Sequence, residues 1–493
     1  MSQNFSSLTF IILFIFSTNQ GLCATIGSFD KSFSQDGNSD GWDFINQPNQ
    51  NYFGLDTLID SQKRIVVAGT YTYGASAQTG ILIARYLTSG ILDTSFASNG
   101  ILKYPFPPSD PFIIKIRHNP FDDSIFVGYT ALNNSTGNSD VSLLYIDETG
   151  LILDIFTIAF DLGSGNDRKD DFFADMKLHH NNISGSGFLI IAAEVERSSA
   201  TDTDFGIAKV NFDSSGNFSF ETQFSSDGMS NCFHDHNVNG LNQDIATSIS
   251  ITEEMNYLVG GSAFEGNGDD ANGWNLAFCE FNNAGAIIGK WSTKISATQG
   301  DSREELVDTV IGRSSQDGQY LLTLSKEPEI DFSVKNDFVV RKYIRNLLNQ
   351  GVWDEDINFA SSGISRIGFN DPFIFPETTD DQPAQIFIKS LDQSIIIVGN
   401  SNWQDNGNDK SYISLSKLRS NGLLNTSWGS NSTGKEHISL DTNTFSDICA
   451  GFAQGVGSEE FYVTGTNFDF TNNTIKLFIA NIAHEFIFSN SFE

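Results

Sequence analysis

The chain has 493 residues, 39% hydrophobic and 12% aromatic, which is ample apolar material for a buried core and excludes disorder as the default. Its 28 Lys+Arg stand against 61 Asp+Glu, and a formal charge of −33 argues against nucleic acid or an anionic membrane as partner. The length accommodates a few ordinary domains or one large repeat array.

In chain order, residues 1–24 have the form of a secretory signal. The apolar run from Leu8 to Phe16 is too short to span a bilayer, and Gly21 and Cys23 are small residues ahead of a cleavage point at Ala24. No Lys or Arg precedes the run. The expectation is a secreted or outer-surface protein whose mature chain, 25–493, is a single domain with no transmembrane segment. Cys232, Cys279 and Cys449 then remain, too few and too scattered for a disulfide framework. Cys279, in an apolar run, reads as a core residue, and one bridge between Cys232 and Cys449 is conceivable.

The rest of the chain is repetitive. The phrase Leu92-Asp93-Thr94-Ser95-Phe96, followed by Asn99-Gly100, recurs as Leu424-Asn425-Thr426-Ser427-Trp428 and as Phe29-Asp30-Lys31-Ser32-Phe33. The intervals of roughly 60–75 residues mean one supersecondary unit used many times. Each unit reads as four strand-length segments. In the clearest, Phe53–Ile59 is the first, Arg64–Thr70 the second and Ile81–Leu87 the third, and Ile91–Tyr104 contains the fourth. The second recurs at 125–128, 189–193, 257–261, 320–324, 395–399 and 461–465, and the third at 142–146, 206–210, 275–281, 338–343, 412–418 and 476–482. These runs are β-branched and aromatic and too short for stable helices. A glycine ends the turn after the third segment at Gly90, Gly150, Gly216, Gly285, Gly351 and Gly422, as a tight hairpin requiring positive φ would demand.

Repeated four-stranded antiparallel units predict an all-β fold, a β-propeller of seven blades. The N-terminal copy, Ile26 to Phe44, holds only a fourth segment, and the last unit lacks one, so the N-terminal strand is expected to close the ring. The tail from Ile487 to Phe492 is a rival for that role.

The run Val66-Val67-Ala68-Gly69, Ile83-Ala84-Arg85-Tyr86 and Gly90-Ile91-Leu92-Asp93-Thr94-Ser95-Phe96 up to Gly100 resembles the delta-60 repeat of bacterial secreted and surface proteins. The similarity is close over 63–101 and good over 395–429. It implies a propeller and an exported location, and it brings no catalytic residues with it.

Strand alternation places the loops between second and third segments, and the links between units, on one face. That face collects Asp202-Thr203-Asp204, Asp269-Asp270-Ala271-Asn272, Asp405 to Asp409, Asp167 to Asp171, Asp301 to Glu305 and Asp380-Asp381. Asp269, Asp270, Asn272, Asp405, Asn408 and Asp409 have the oxygen-bearing spacing of a calcium loop, without its distal Glu. Asp, Asn and Gly also simply make soluble turns. His234-Asp235-His236, with His179-His180, is the candidate for a transition metal, although no third ligand is evident. Trp274, Trp403 and Tyr73 in the same loops suit sugar stacking or cation–π contacts.

The reading that follows is a secreted, non-enzymatic binding or adhesion module presenting an acidic face to an extracellular glycan, protein or cation-bridged surface. The alternatives are a propeller hydrolase or lyase with carboxylates at the channel mouth, and a structural surface component. Three or more carboxylates, or a His with acids, meeting in a pocket at the ring axis would favour the enzyme, and a shallow, repeated set of loop sites would favour the binder.

Overall fold

The computed structural model describes residues 29–34, 40–47, 49–73, 78–106, 113–162, 169–199, 202–234, 242–264, 273–293, 304–328, 335–346, 351–369, 379–389, 392–405, 408–429, 432–440, 445–454, 461–469 and 474–482. The signal-like segment 1–24 and the tail 487–492 lie outside them. Among the described residues there is no helix, and so none long and apolar enough to cross a membrane. The fold is all-β, with its sheets arranged as a β-propeller.

Five sheets are separate blades, where the repeat count leads one to expect seven. They comprise Gln50–Ile59, Ile65–Tyr73, Gln78–Tyr86 and Ile101–Pro105; then Lys115–His118, Ile125–Leu132, Ser139–Ile146 and Ile152–Ile158. The third joins Glu305–Ser314, Gly318–Pro328 and Asn336–Arg345, the last of these pairing both Trp353–Glu355 and Ile364–Ile367. The fourth holds Asp380–Ile388, Ile395–Asp405, Asn408–Leu418 and Lys435–Ile438. In the fifth, Phe445–Gln454, Phe461–Asp469 and Thr474–Ile482 are completed by Trp42–Ile45, whose Phe44 sits opposite Phe478. The N-terminal strand therefore supplies the outer edge of the last sheet. Residues 171–292 form one nine-stranded sheet, because Asp202 and Thr203 pair in parallel with Asn242 and Gln243 and fuse two antiparallel groups.

Each sheet is buried on both faces, which is why its second and third strands read as nearly unbroken apolar runs. Successive side chains on a strand point to opposite faces. Accordingly Ile65 and Val67 pack towards Tyr462 and Leu477 of the preceding sheet, while Val66 and Ala68 pack towards Ile116, Val127 and Leu144 of the following one.

The repeated phrase is a turn that docks on the hairpin turn of the following unit. Asp93 Oδ1 accepts from Ser95 N at 3.0 Å and Ser95 Oγ at 2.6 Å, and Asp93 Oδ2 takes Arg85 Nε at 2.8 Å. Phe96 is then buried between two sheets, and Ala97 N donates to Thr149 O in the hairpin turn of the following sheet. The same contact recurs from Ser225 N to Ala284 O and from Ala360 N to Asn421 O, with Phe224 and Phe359 as buried anchors. Ser34 N to Ser89 O repeats it across the closure. The expected hairpin glycines Gly90, Gly150, Gly216, Gly285, Gly351 and Gly422 all have φ between 81° and 90°.

The innermost strands form a closed ring of ties. Six of them carry a β-bulge at the same place, and a bulge re-aims the side chain that follows it. Asp56 Oδ2 accepts from Ile116 N (2.8 Å), Asp175 Oδ2 from Ile249 N (3.2 Å), Asp308 Oδ2 from Ile386 N (3.1 Å) and Gln385 Oε1 from Phe452 N (3.1 Å). Ser248 Oγ meets Thr309 Oγ1 at 3.1 Å, and Arg117, on the unbulged strand, reaches Asp175 at 2.7 Å. Each tie joins one inner strand to the next. At the seam the post-bulge residue is Gly451, where a Cβ would lie 2.8 Å from Asp56 Cα, so the backbones meet directly.

The cysteine expectation is corrected. Cys232 is bonded to Cys279, not to Cys449, because both lie in one buried cluster with Phe205, Ile207 and Val259, from which Cys449 is absent. Cys449 is buried as a free thiol.

Because the turn aromatic fills space between two sheets, Phe96→Ala is expected to cost about 3–5 kcal/mol, measured by denaturant unfolding. Phe121→Ala, an exposed aromatic, is expected to change stability by less than about 1 kcal/mol.

Candidate active site in the axial cavity

The residues singled out by sequence do not converge. Asp269, Asp270 and Asn272 lie outside the described residues, as do Asp235 and His236. Asp405 and Asn408 are cross-strand partners, with Asp409 and Trp403 on the same strand pair. Trp403, Trp274 and Tyr73 are therefore strand residues and not loop residues, since the second and third strands run further than their apolar cores. Tyr73 ends its strand half-exposed, whereas Trp274 is packed edge-on against Phe264 at 5.6 Å. His179 stacks on Phe188 at 4.9 Å. His234 is buried with Nε2 3.4 Å from Cys279 Sγ, a sulfur committed to the disulfide. Cys232, His234 and Cys279 are the one metal-sized group among the described residues.

Many acids of the links between sheets are internal and not solvated. Asp171 Oδ2 accepts from Phe160 N (2.7 Å), Asp244 Oδ2 from His234 N (2.5 Å), Asp381 Oδ2 from Phe369 N (2.8 Å) and Asp447 Oδ2 from Leu440 N (2.9 Å). All four are buried at the start of an inner strand and hold down the incoming link. Burial pushes the Asp171 carboxyl up to about 8 against the pull of the Phe160 N–H, and Asp381 up to about 7. Glu304 is likewise raised to about 8, by burial and then by the neighbouring Glu327 charge. Its sequence neighbour Glu305 turns away to Lys326 at 3.3 Å, so the adjacent acids never face one substrate.

Chemistry gathers instead on the ring axis. A cavity of about 390 Å3 opens between five inner strands, lined by Lys115, Arg117, Asp175, Lys177, Ser250, Asp308, Thr309 and Gln385 among others. Asp175 is buried and clamped by Arg117 at 2.7 Å and Lys177 at 2.8 Å. Burial would raise its carboxyl, but Lys177, Arg117 and Lys115 outweigh that and hold it below the ordinary value. Asp308 receives N–H bonds from Thr309 (2.8 Å) and Ile386 (3.1 Å). Burial nevertheless dominates there, and with the Asp175 charge opposing, its carboxyl is raised. Two carboxyls in one cavity are thus pushed in opposite directions, the pattern that separates an acid from a permanently charged partner. Sequence reasoning missed them because each is a single Asp within a strand-forming segment, Val307-Asp308-Thr309 and Ala174-Asp175-Met176, with no local motif around it. The available signal was an Asp at the same offset in several first segments.

No family model matches the chain, and no curated protein matches it. Among solved structures, the polysaccharide lyase Uly1 is similar at 9% identity and TM-score 0.45, over 94% of this chain and 98% of that one. The Penicillium chrysogenum α-L-arabinanase complexed with arabinobiose is similar at 11% identity and TM-score 0.38, over 81% and 99%. The β-propeller domain of the Trilobed protease from Pyrococcus furiosus is similar at 11% identity and TM-score 0.40, over 90% and 99%.

The buried link acids set a pH dependence. A carboxyl whose folded pKa exceeds its unfolded one near 4 binds its proton more tightly when folded, so its contribution to stability is lost as pH rises. For Asp171 that window runs from about 4 to about 8. Asp171→Asn keeps an acceptor for Phe160 N–H without the ionisation, and is expected to flatten the fall in Tm across that window by several degrees.

Proposed function

We propose that the protein is a glycan-cleaving enzyme, a hydrolase or lyase, with its chemistry in the axial cavity. The observation that carries this reading is the Asp175–Asp308 pair lining a single cavity of ligand size, the first carboxyl clamped by Arg117 and Lys177 and shifted down, the second shifted up by burial. Asp308, keeping its proton to higher pH, would donate it to the departing glycosidic oxygen. Asp175, fixed by Arg117 and Lys177, would stabilise positive charge at the reacting carbon or orient an attacking water. The binding reading rested on an acidic loop face, and several of those acids are buried acceptors of backbone N–H groups, which weakens it.

Two finer points belong to the same proposal. Counting the nine-stranded sheet as two blades fused by one short parallel pairing would bring the five separate blades to the seven expected from the repeat. The signal-like residues 1–24 and the delta-60 resemblance support export, and the Cys232–Cys279 disulfide is compatible with it.

The test is depolymerisation by the mature chain of a polysaccharide panel, followed by reducing ends and by absorbance of a conjugated double bond. Asp308→Asn is expected to lower the rate at least about 100-fold while Tm stays within a few degrees. Wild-type rate is expected to fall as pH rises through the Asp308 pKa. No chain shortening on any substrate, or full activity in Asp308→Asn, would contradict the proposal.

A further inference from the structure

The cavity gathers basic side chains in a chain that has few of them. Lys115, Arg117 and Lys177 are three of only 28 basic residues in a chain of formal charge −33, yet they line one cavity with two acids, Asp175 and Asp308. Arg117 is spoken for: it binds Asp175 at 2.7 Å, approaches Asp56 at 3.4 Å and donates to its neighbour's carbonyl, Ile116 O, at 2.7 Å. Lys177 is held on Asp175 at 2.8 Å. Lys115 is different. It is half-buried on the cavity wall and makes no hydrogen bond or ion pair among the described residues. Its partly desolvated ammonium acts on Asp175 and Asp308 only through space, and it is the cation on this wall left to bind an incoming anion directly.

We propose that the glycan taken by this cavity is anionic, and that Lys115 binds its carboxylate. This rests on the proposed glycan-cleaving function and names its substrate class as a uronate-containing polysaccharide. A carboxylate brought to Lys115 gains a charge-assisted hydrogen bond. The acidic exterior disfavours loose polyanion binding elsewhere, so an anionic chain is held only where these cations are presented. Neutral sugars offer hydroxyls, but the Ser250 and Thr309 hydroxyls on the wall already bond each other at 3.0 Å.

The experiment is calorimetric titration of the full mature chain with oligosaccharides of polygalacturonate, alginate and hyaluronate, with their methyl esters, and with the free uronate monosaccharides. At least one acid is expected to bind about tenfold or more tightly than its ester, and Lys115→Gln to abolish that difference while leaving the ester unchanged. Lys115→Arg is expected to restore most of the preference, which separates recognition from misfolding. Esters binding as well as acids, or Lys115→Gln keeping the full preference, would overturn the inference. Monosaccharides binding as tightly as oligosaccharides would overturn its polymeric part. Cleavage of neutral glycans alone would sink this inference and leave the enzymatic reading standing. Acid-selective binding without cleavage would support it and sink the enzymatic reading.

Discussion

The structure depends on one recurring constraint: an inner strand must bond to the next inner strand without a shared sheet. Each blade satisfies its own backbone groups, but the ring closes only if neighbouring sheets are tied at the axis. Bulges aim Asp56, Asp175, Ser248, Asp308 and Gln385 sideways, and four of these accept a backbone N–H of the following inner strand. An unpaired buried N–H costs about 1–3 kcal/mol, so each acceptor is worth more than its single hydrogen bond suggests. The ring ends where Gly451 lets two backbones touch at the seam.

That constraint gives the acidic composition a second meaning. One set of carboxylates ties inner strands, another pins the incoming links through Asp171, Asp244, Asp381 and Asp447, and a third organises the docking turns through Asp93. The candidate site grows out of the first set. Asp175 and Asp308 serve the ring and line its cavity at once, so scaffold and chemistry share side chains. Removing either by a non-polar residue therefore disturbs both, and amide substitutions are the informative ones.

Much of the fold was legible and most of the site was not. Segments rich in Val and Ile, such as Ile65–Ala68 and Ile395–Val398, declare strands buried on two faces, and the hairpin glycines mark the turns between third and fourth strands. Strand ends were harder to see. Polar residues at Asp202–Asp204 and Asp405 continue the ladder, since hydrogen-bonded pairing does not require apolar side chains. The fused sheet was invisible for the same reason, as it hangs on two residue pairs with no apolar pattern. Cys232–Cys279 could not be preferred over Cys232–Cys449, because the choice is made by which strands pack into one buried cluster. The axial acids were illegible because their partners, Ile116 for Asp56 and Ile386 for Asp308, lie a whole repeat away and contribute only a backbone N–H.

The central claim is that post-bulge side chains hold neighbouring sheets together through backbone amides. Amide hydrogen exchange of wild type and Asp56→Ala, read peptide by peptide, tests it most directly. The account predicts that protection is lost in the peptide covering Lys115–His118, on the next sheet, while the second and third strands of the mutated sheet keep theirs. Unchanged exchange at Lys115–His118, or loss confined to the strand that carries the mutation, would contradict it.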